Sequence, residues 1–161
     1  MTRHRHACWR APTVRAFAVA LALTAPLTLP AWAQTPAPGR STAAIATHIA
    51  ENGFHVLKLE REATVYEAEL VSPQGNLVEA RIDPVSAAFL STKMDGRAGP
   101  LPDQWLTVAQ IARHLEGQGY TVRKIEAEAT GYEVELTDRA GARTEADIDP
   151  MTGAIRHSKP D

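Results

Sequence analysis

Laid over itself with Ile45 on Ile111, this 161-residue chain matches its own sequence without a gap. Ile45-Ala-Thr-His-Ile-Ala-Glu-Asn-Gly53 falls on Ile111-Ala-Arg-His-Leu-Glu-Gly-Gln-Gly119, and Lys58 to Leu70 falls on Lys124 to Leu136. The match still holds at Glu79-Ala-Arg-Ile-Asp-Pro84 against Glu145-Ala-Asp-Ile-Asp-Pro150, so that 22 of the 49 positions from Ile45 to Lys93 are identical. A fixed period of this kind marks a repeated structural unit. Whatever one copy folds into, it must do so in about 55 residues, a size at which a lone core is marginal. The two copies are therefore expected to pack together. The expected bounds are 41–93 and 105–161, with linkers at 34–40 and 94–104, the second of them rich in chain breakers.

Within a copy the hydrophobic period changes once. Thr107 followed by Gln110 reads as a capping box, and Val108, Ile111, Ala112 and Leu115 recur on one helical face before Gly119 ends the helix. Ser41, Ile45, Ala46, Ile49 and Gly53 repeat the pattern. Strands follow. Tyr66, Ala68 and Leu70 alternate with Glu67 and Glu69, and Tyr132, Val134 and Leu136 alternate with Glu133 and Glu135, as in a sheet wet on one face. Val78, Ala80 and Ile82, and their counterparts Thr144, Ala146 and Ile148, continue it. The phase slips between Val56 and Leu59 and again between Val122 and Ile125, which predicts a bulge in the first strand of each copy. A short fourth strand would carry Phe89 or Ile155. The fold class is α+β: two tandem copies of a small helix-plus-antiparallel-sheet domain.

Residues 1–33 are not read as fold. Arg3, Arg5, Arg10 and Arg15 precede an apolar run from Ala16 to Leu29, and Ala31-Trp-Ala33 supplies small residues before Gln34, the pattern of an export signal cleaved near Ala33-Gln34. The run is broken by Pro26 and Pro30 and is short for a membrane span, which needs about 20 apolar residues. The expected location is periplasmic or secreted. Cys8, the only cysteine, lies in this leader, so the mature chain would hold no thiol for catalysis, metal ligation or a disulfide. Without the four leader arginines 13 basic residues face 19 acidic ones. That balance disfavours nucleic acid and anionic lipid as partners, because both are bound through clustered Lys and Arg.

The helix closed by Gly, the strand Tyr132-Glu-Val-Glu-Leu136 and the motif Ile148-Asp-Pro-Met-Thr-Gly153 resemble the PepSY domain. The resemblance covers both copies. It is closer in the second, since the first has Asp83-Pro-Val-Ser-Ala87 with alanine at the turn glycine. Alanine does not accept positive φ readily, so that first turn is expected to take another geometry. The family motif residues are Asp83 and Pro84 in one copy, and Asp149, Pro150, Thr152 and Gly153 in the other. What the resemblance implies is a non-catalytic module of exported bacterial proteins, one that also occurs in propeptides of thermolysin-type proteases and has protease inhibition as its proposed role. It transfers no catalytic residue.

The residues themselves offer one candidate surface. Pro73-Gln-Gly75 and Arg139-Ala-Gly141 suit three-residue hairpin loops, which place Glu69 opposite Glu79 and Glu135 opposite Glu145. Directly opposed like charges are destabilising. Three readings stay open: a solvated face neutralised by Lys58 and Lys124, a docking surface formed by Glu67, Glu69, Glu79, Glu133, Glu135 and Glu145, or a hard-cation site, which would need more oxygen ligands than one pair supplies. His48 and His114 read as half-buried structural residues, and Tyr66 and Tyr132 as core residues with satisfied hydroxyls. Trp105 is expected to pack the linker against the second copy. No His-Glu-x-x-His, phosphate loop or Gly-x-Ser-x-Gly elbow is present, and no metal or cofactor is assigned. The expected function is that of an exported, non-enzymatic protein that binds or inhibits an envelope protein, a peptidase among the candidates. A divalent-cation-binding or envelope-homeostasis accessory is the alternative. A third reading has the two copies joining their sheets about an approximate twofold into one continuous surface.

Overall fold

A computed structural model describes residues 39–160. The expected export signal and cleavage point lie outside the described residues. Ser41 caps α1 (Thr42–Glu51) by accepting from the Ala44 N–H at 3.3 Å. Four antiparallel strands follow that helix: β1 (His55–Arg61), β2 (Tyr66–Val71), β3 (Asn76–Ile82) and β4 (Phe89–Arg97). Thr107 and Gln110 close a reciprocal capping box on α2 (Val108–Gly117). Then come β5 (Thr121–Glu128), β6 (Gly131–Thr137), β7 (Arg143–Ile148) and β8 (Ile155–Pro160). Among the described residues no helix is long and apolar enough to cross a membrane.

All eight strands form one antiparallel sheet in the order β4-β3-β2-β1-β5-β6-β7-β8. The centre is the β1–β5 pair, where Leu59 stands opposite Ile125, its own counterpart in the repeat, with Lys58 opposite Glu126 and Glu60 opposite Lys124. Both helices pack on one face of this sheet and against each other. Ile45, Ile49, Ile111 and Leu115 from the helices meet Leu59, Leu70, Ile125, Val134 and Leu136 from the strands in one buried cluster. Sharing a core meets the size problem of so small a unit, because each helix is covered by the other as well as by strands. Register shifts at Val56/Lys58 and Val122/Lys124 fall where the sequence changes phase.

Two expectations are corrected. β4 does not stop at Lys93. It runs through Met94 to Arg97, into the stretch expected to be linker, because Asn76 still pairs with Arg97 across a bulge at which Gly96 takes φ 119°. The turn after Asp83 is not of another geometry either. Ala87 adopts φ 65° where Gly153 adopts 75°, and both turns close with the same pair of bonds: Asp83 N–H to Ala88 O and Ala87 N–H to Asp83 O, Asp149 N–H to Ala154 O and Gly153 N–H to Asp149 O, all at 2.8–2.9 Å. Three donors on the Asp83 carboxylate and complete burial of the Ala87 methyl hold the alanine in a conformation it would otherwise avoid.

Candidate functional site

Alternation in eight strands gives the sheet a second face, turned away from the helices and almost wholly ionic. Across it one row runs Lys93, Glu79, Glu69, Lys58, Glu126, Glu133, Asp147, His157, and the next runs Ser91, Arg81, Glu67, Glu60, Lys124, Glu135, Glu145, Lys159. Acidic side chains outnumber basic ones along both rows together. All six glutamates singled out from the sequence therefore share one surface, and Glu69 does oppose Glu79, as Glu135 opposes Glu145. The hairpin loops that set this register close between Ser72 and Asn76 and between Asp138 and Ala142, with Gly75 and Gly141 at positive φ.

The neutralising cations differ from those expected. Lys93 on β4 reaches Glu79 at 3.1 Å, and Lys159 on β8 reaches Glu145 at 2.8 Å. Arg81 lies 3.6 Å from Glu67. Lys58 turns instead to Glu60 at 3.5 Å and Glu126 at 3.9 Å, while Lys124 bonds Glu126 at 2.9 Å and Glu133 at 3.0 Å. Lys58 gains Glu126 through the β1–β5 ladder, whereas Lys124 is held within its own half, by Glu126 on β5 and Glu133 on β6. Among the described residues Glu69 and Glu135 are left with no ion-pair partner within 4.0 Å. Glu126 and Glu133 hold the Lys124 ammonium well above its ordinary pKa, and Glu79 and Asp95 raise that of Lys93. Lys93 and Lys159 are identical in the repeat, and that identity was the signal that could have found them. Over β1 to β4 the face is concave, a groove of about 410 Å³ with Lys58, Glu67, Glu69, Glu79 and Lys93 in its walls.

The family motif residues sit elsewhere, at the β3–β4 and β7–β8 turns, and their work is visible. Asp149 Oδ1 accepts from the Met151 and Thr152 N–H groups at 2.9 Å, while Oδ2 takes the Arg156 guanidinium. Arg156 above all, then those backbone donors, lowers the carboxyl pKa to about 2. Thr152 Oγ1 accepts from Ala154 N–H at 3.3 Å. Pro150 contributes its carbonyl, which accepts from Leu106 N–H at 2.7 Å, and the Tyr132 hydroxyl donates to Leu106 O. The first half repeats the clamp: Pro84 O takes Arg40 N–H at 2.6 Å, and Tyr66 Oη donates to Arg40 O at 3.0 Å. Motif and tyrosine together grip both backbone groups of the residue just before each helix cap. Burial pushes the Tyr132 hydroxyl up to about 12. Trp105 meets Tyr132 edge-on, ring centroids 5.6 Å apart, as its linker role requires.

Each histidine of the repeat lies in the last turn of its helix, His48 half-buried and His114 exposed. His48 pairs with Asn52 and His114 with Gln118, one turn on. Among the described residues no three His, Asp or Glu side chains converge as a metal-ligand set.

Residues 100–159, which span α2 and β5 to β8, match the family model described as peptidase propeptide and YPEB domain. Residues 100–159 thus form a PepSY domain. The clamp built by Asp149, Pro150, Thr152, Gly153 and Tyr132 lies within this match, as do the charged residues of β5 to β8 up to Lys159. The crystal structure of CD1622, a candidate lipoprotein from Clostridium difficile 630, is similar at 16% identity over 77% of this chain and 95% of its own, with a TM-score of 0.46. No curated protein matches the chain.

Proposed function

We propose that this chain is an exported, non-catalytic PepSY protein that docks an envelope protein on its charged sheet face, with a peptidase as the leading class of partner. In this reading the first half, through Arg97, is a second copy of the PepSY unit: it has the same helix and four strands, the same bulge in its first strand and the same clamp, each at the offset of the repeat. The observation that carries the reading is the pair of opposed glutamates repeated on one continuous surface, each pair with one member left without a cation. A surface selected for stability alone would have replaced Glu69 and Glu135, since like charges directly opposed across strands cost about 0.2–1 kcal/mol. A partner's basic groups would supply the missing charge, and they would dock first through long-range attraction. Among the described residues the accessory cation-binding reading has no converging ligand set behind it.

The test uses the chain from Gln34 to Asp161, immobilised against an envelope extract of its source organism, followed by inhibition assays on any retained peptidase. The double variant Glu69→Gln, Glu135→Gln is expected to weaken capture at least tenfold while leaving stability equal or higher. Raised salt should weaken capture by the parent chain. Capture indifferent to both would refute docking on this face.

A further inference from the structure

The starts of the two helices are equivalent in the repeat but differently finished. In α1 the Ala43 N–H donates to Glu116 Oε1 at 3.0 Å, a carboxylate that reaches over from the last turn of α2. The equivalent N–H in α2 is that of Ala109, and the equivalent of Glu116 is Ala50, whose methyl accepts no bond. Thr107 and Gln110 satisfy each other's backbone N–H groups, and among the described residues the Ala109 N–H has no partner. Ala109 is buried, and a buried donor left unpaired is costly. The same exchanges change the space in front of it. Where the hollow beside Ala43 is lined by Thr42, Glu116 and Tyr120, the hollow beside Ala109 has Val108, Ala50 and Phe54 at those positions. Leu101 and Trp105, from the segment before α2, complete an apolar groove of about 190 Å³. A cavity of about 150 Å³ already holds benzene. The ionisable residues of its wall are His55 and Asp103, both exposed and so screened by solvent.

We propose that this groove binds a small carboxylic acid with an apolar body, its carboxylate on the Ala109 N–H and its ring or short chain against Phe54, Leu101 and Trp105. A helix N-terminus favours an anion in general. What identifies the anion here is the twin site, where the equivalent N–H already holds a carboxylate from within the chain. One half makes that bond with its own Glu116, and the other leaves both the donor and the room for a ligand to make it. The apolar exchanges set the rest of the ligand's chemistry, since Val108 and Phe54 offer it contact area and no polar side-chain atom. The groove belongs to the helix side of the sheet, so the inference is independent of what docks on the charged rows.

Trp105 reports on the site directly, because Trp9 and Trp32 lie outside Gln34–Asp161 and leave it the only tryptophan of that chain. The probe is phenylpropionate, titrated at neutral pH against Trp105 fluorescence up to about 20 mM, since a ligand of this size binds in the millimolar range or tighter. A saturable change is expected. Phenylpropionamide, of the same shape without the charge, should bind at least about tenfold more weakly, and acetate, which lacks the apolar body, should give no response. Ala50→Glu rebuilds the Glu116 arrangement on the other helix. That variant should lose the phenylpropionate response and unfold at higher urea than Ala50→Gln, which fills the same space without a carboxylate. An absent or unsaturable response, equal binding of the amide or of acetate, binding retained by Ala50→Glu, or an Ala50→Glu chain no more stable than Ala50→Gln would each overturn the proposal.

Discussion

Ala87 and Gly153 occupy one conformation with two residues, and the difference can be priced in named terms. Ala87→Gly relieves a positive φ worth about 1–2 kcal/mol, loses a buried methyl worth about 0.8 kcal/mol and frees the unfolded chain by about 0.4–1 kcal/mol. These nearly cancel, so urea unfolding should show little change. Gly153→Ala meets no such balance. Its new methyl would stand 3.0 Å from the His114 ring at φ 75°, and a loss of about 1–2 kcal/mol is expected. Asp149 contributes a pH dependence. Its carboxyl titrates at about 2 in the folded chain and at its ordinary value, near 4, in the unfolded one. The unfolded state therefore binds the proton first on acidification, and the Asp149 contribution, complete above about pH 4, drains away as pH falls toward 2. Asp83 is lowered in the same direction by Ser86. Thermal melts of Asp149→Asn should show a shallower acid slope in that window; an identical slope would remove Asp149 from the account.

At the level of elements, what the sequence disclosed tracks what was buried on one side only. β2, β3, β6 and the helices announce themselves because each has a wet and a dry face, and even the bulges show as a slip of phase. β4 has an exposed side chain at every position but Phe89, so no alternation distinguishes its extension to Arg97 from a linker. The opposed glutamates were legible because loop length and a glycine set hairpin register locally. Their neutralisation was not, since Lys93 and Lys159 lie on β4 and β8, whose exposed side chains show no alternation to mark which of them face the glutamates. The Gln substitutions proposed above carry an element-scale expectation here: if β2–β3 and β6–β7 repulsion is the principal effect, the double variant should gain a few tenths to about 1 kcal/mol, as read by urea midpoint at unchanged slope. A loss instead would mean that these carboxylates hold the sheet.

Taken whole, the molecule depends on the seam between β1 and β5. Leu59 and Ile125 are fully buried there and touch a core fed by both helices. Glu116 on α2 accepts from the Ala43 N–H at 3.0 Å in the first turn of α1, Thr42 donates to Val122 O at 2.6 Å, and Arg113 donates to Thr47 at 3.0 Å. Leu59→Ala should cost about 2–5 kcal/mol and keep one transition by calorimetry and fluorescence alike. Two separated transitions would show halves that stand alone. Family likeness suggested the unit; nothing in one copy told which of its edges would meet the other.

That seam also imposes an order of events on a growing chain. β1 is complete at Arg61, yet the strand that covers its free edge spans Thr121–Glu128, so a stretch longer than a whole copy must be made before the first half is closed. At about 5–20 residues per second the wait lasts several seconds. During it the incomplete chain carries two uncovered edges of the same half, β1 and β4, and any escort that shields nascent chains from one another would find its most urgent task there.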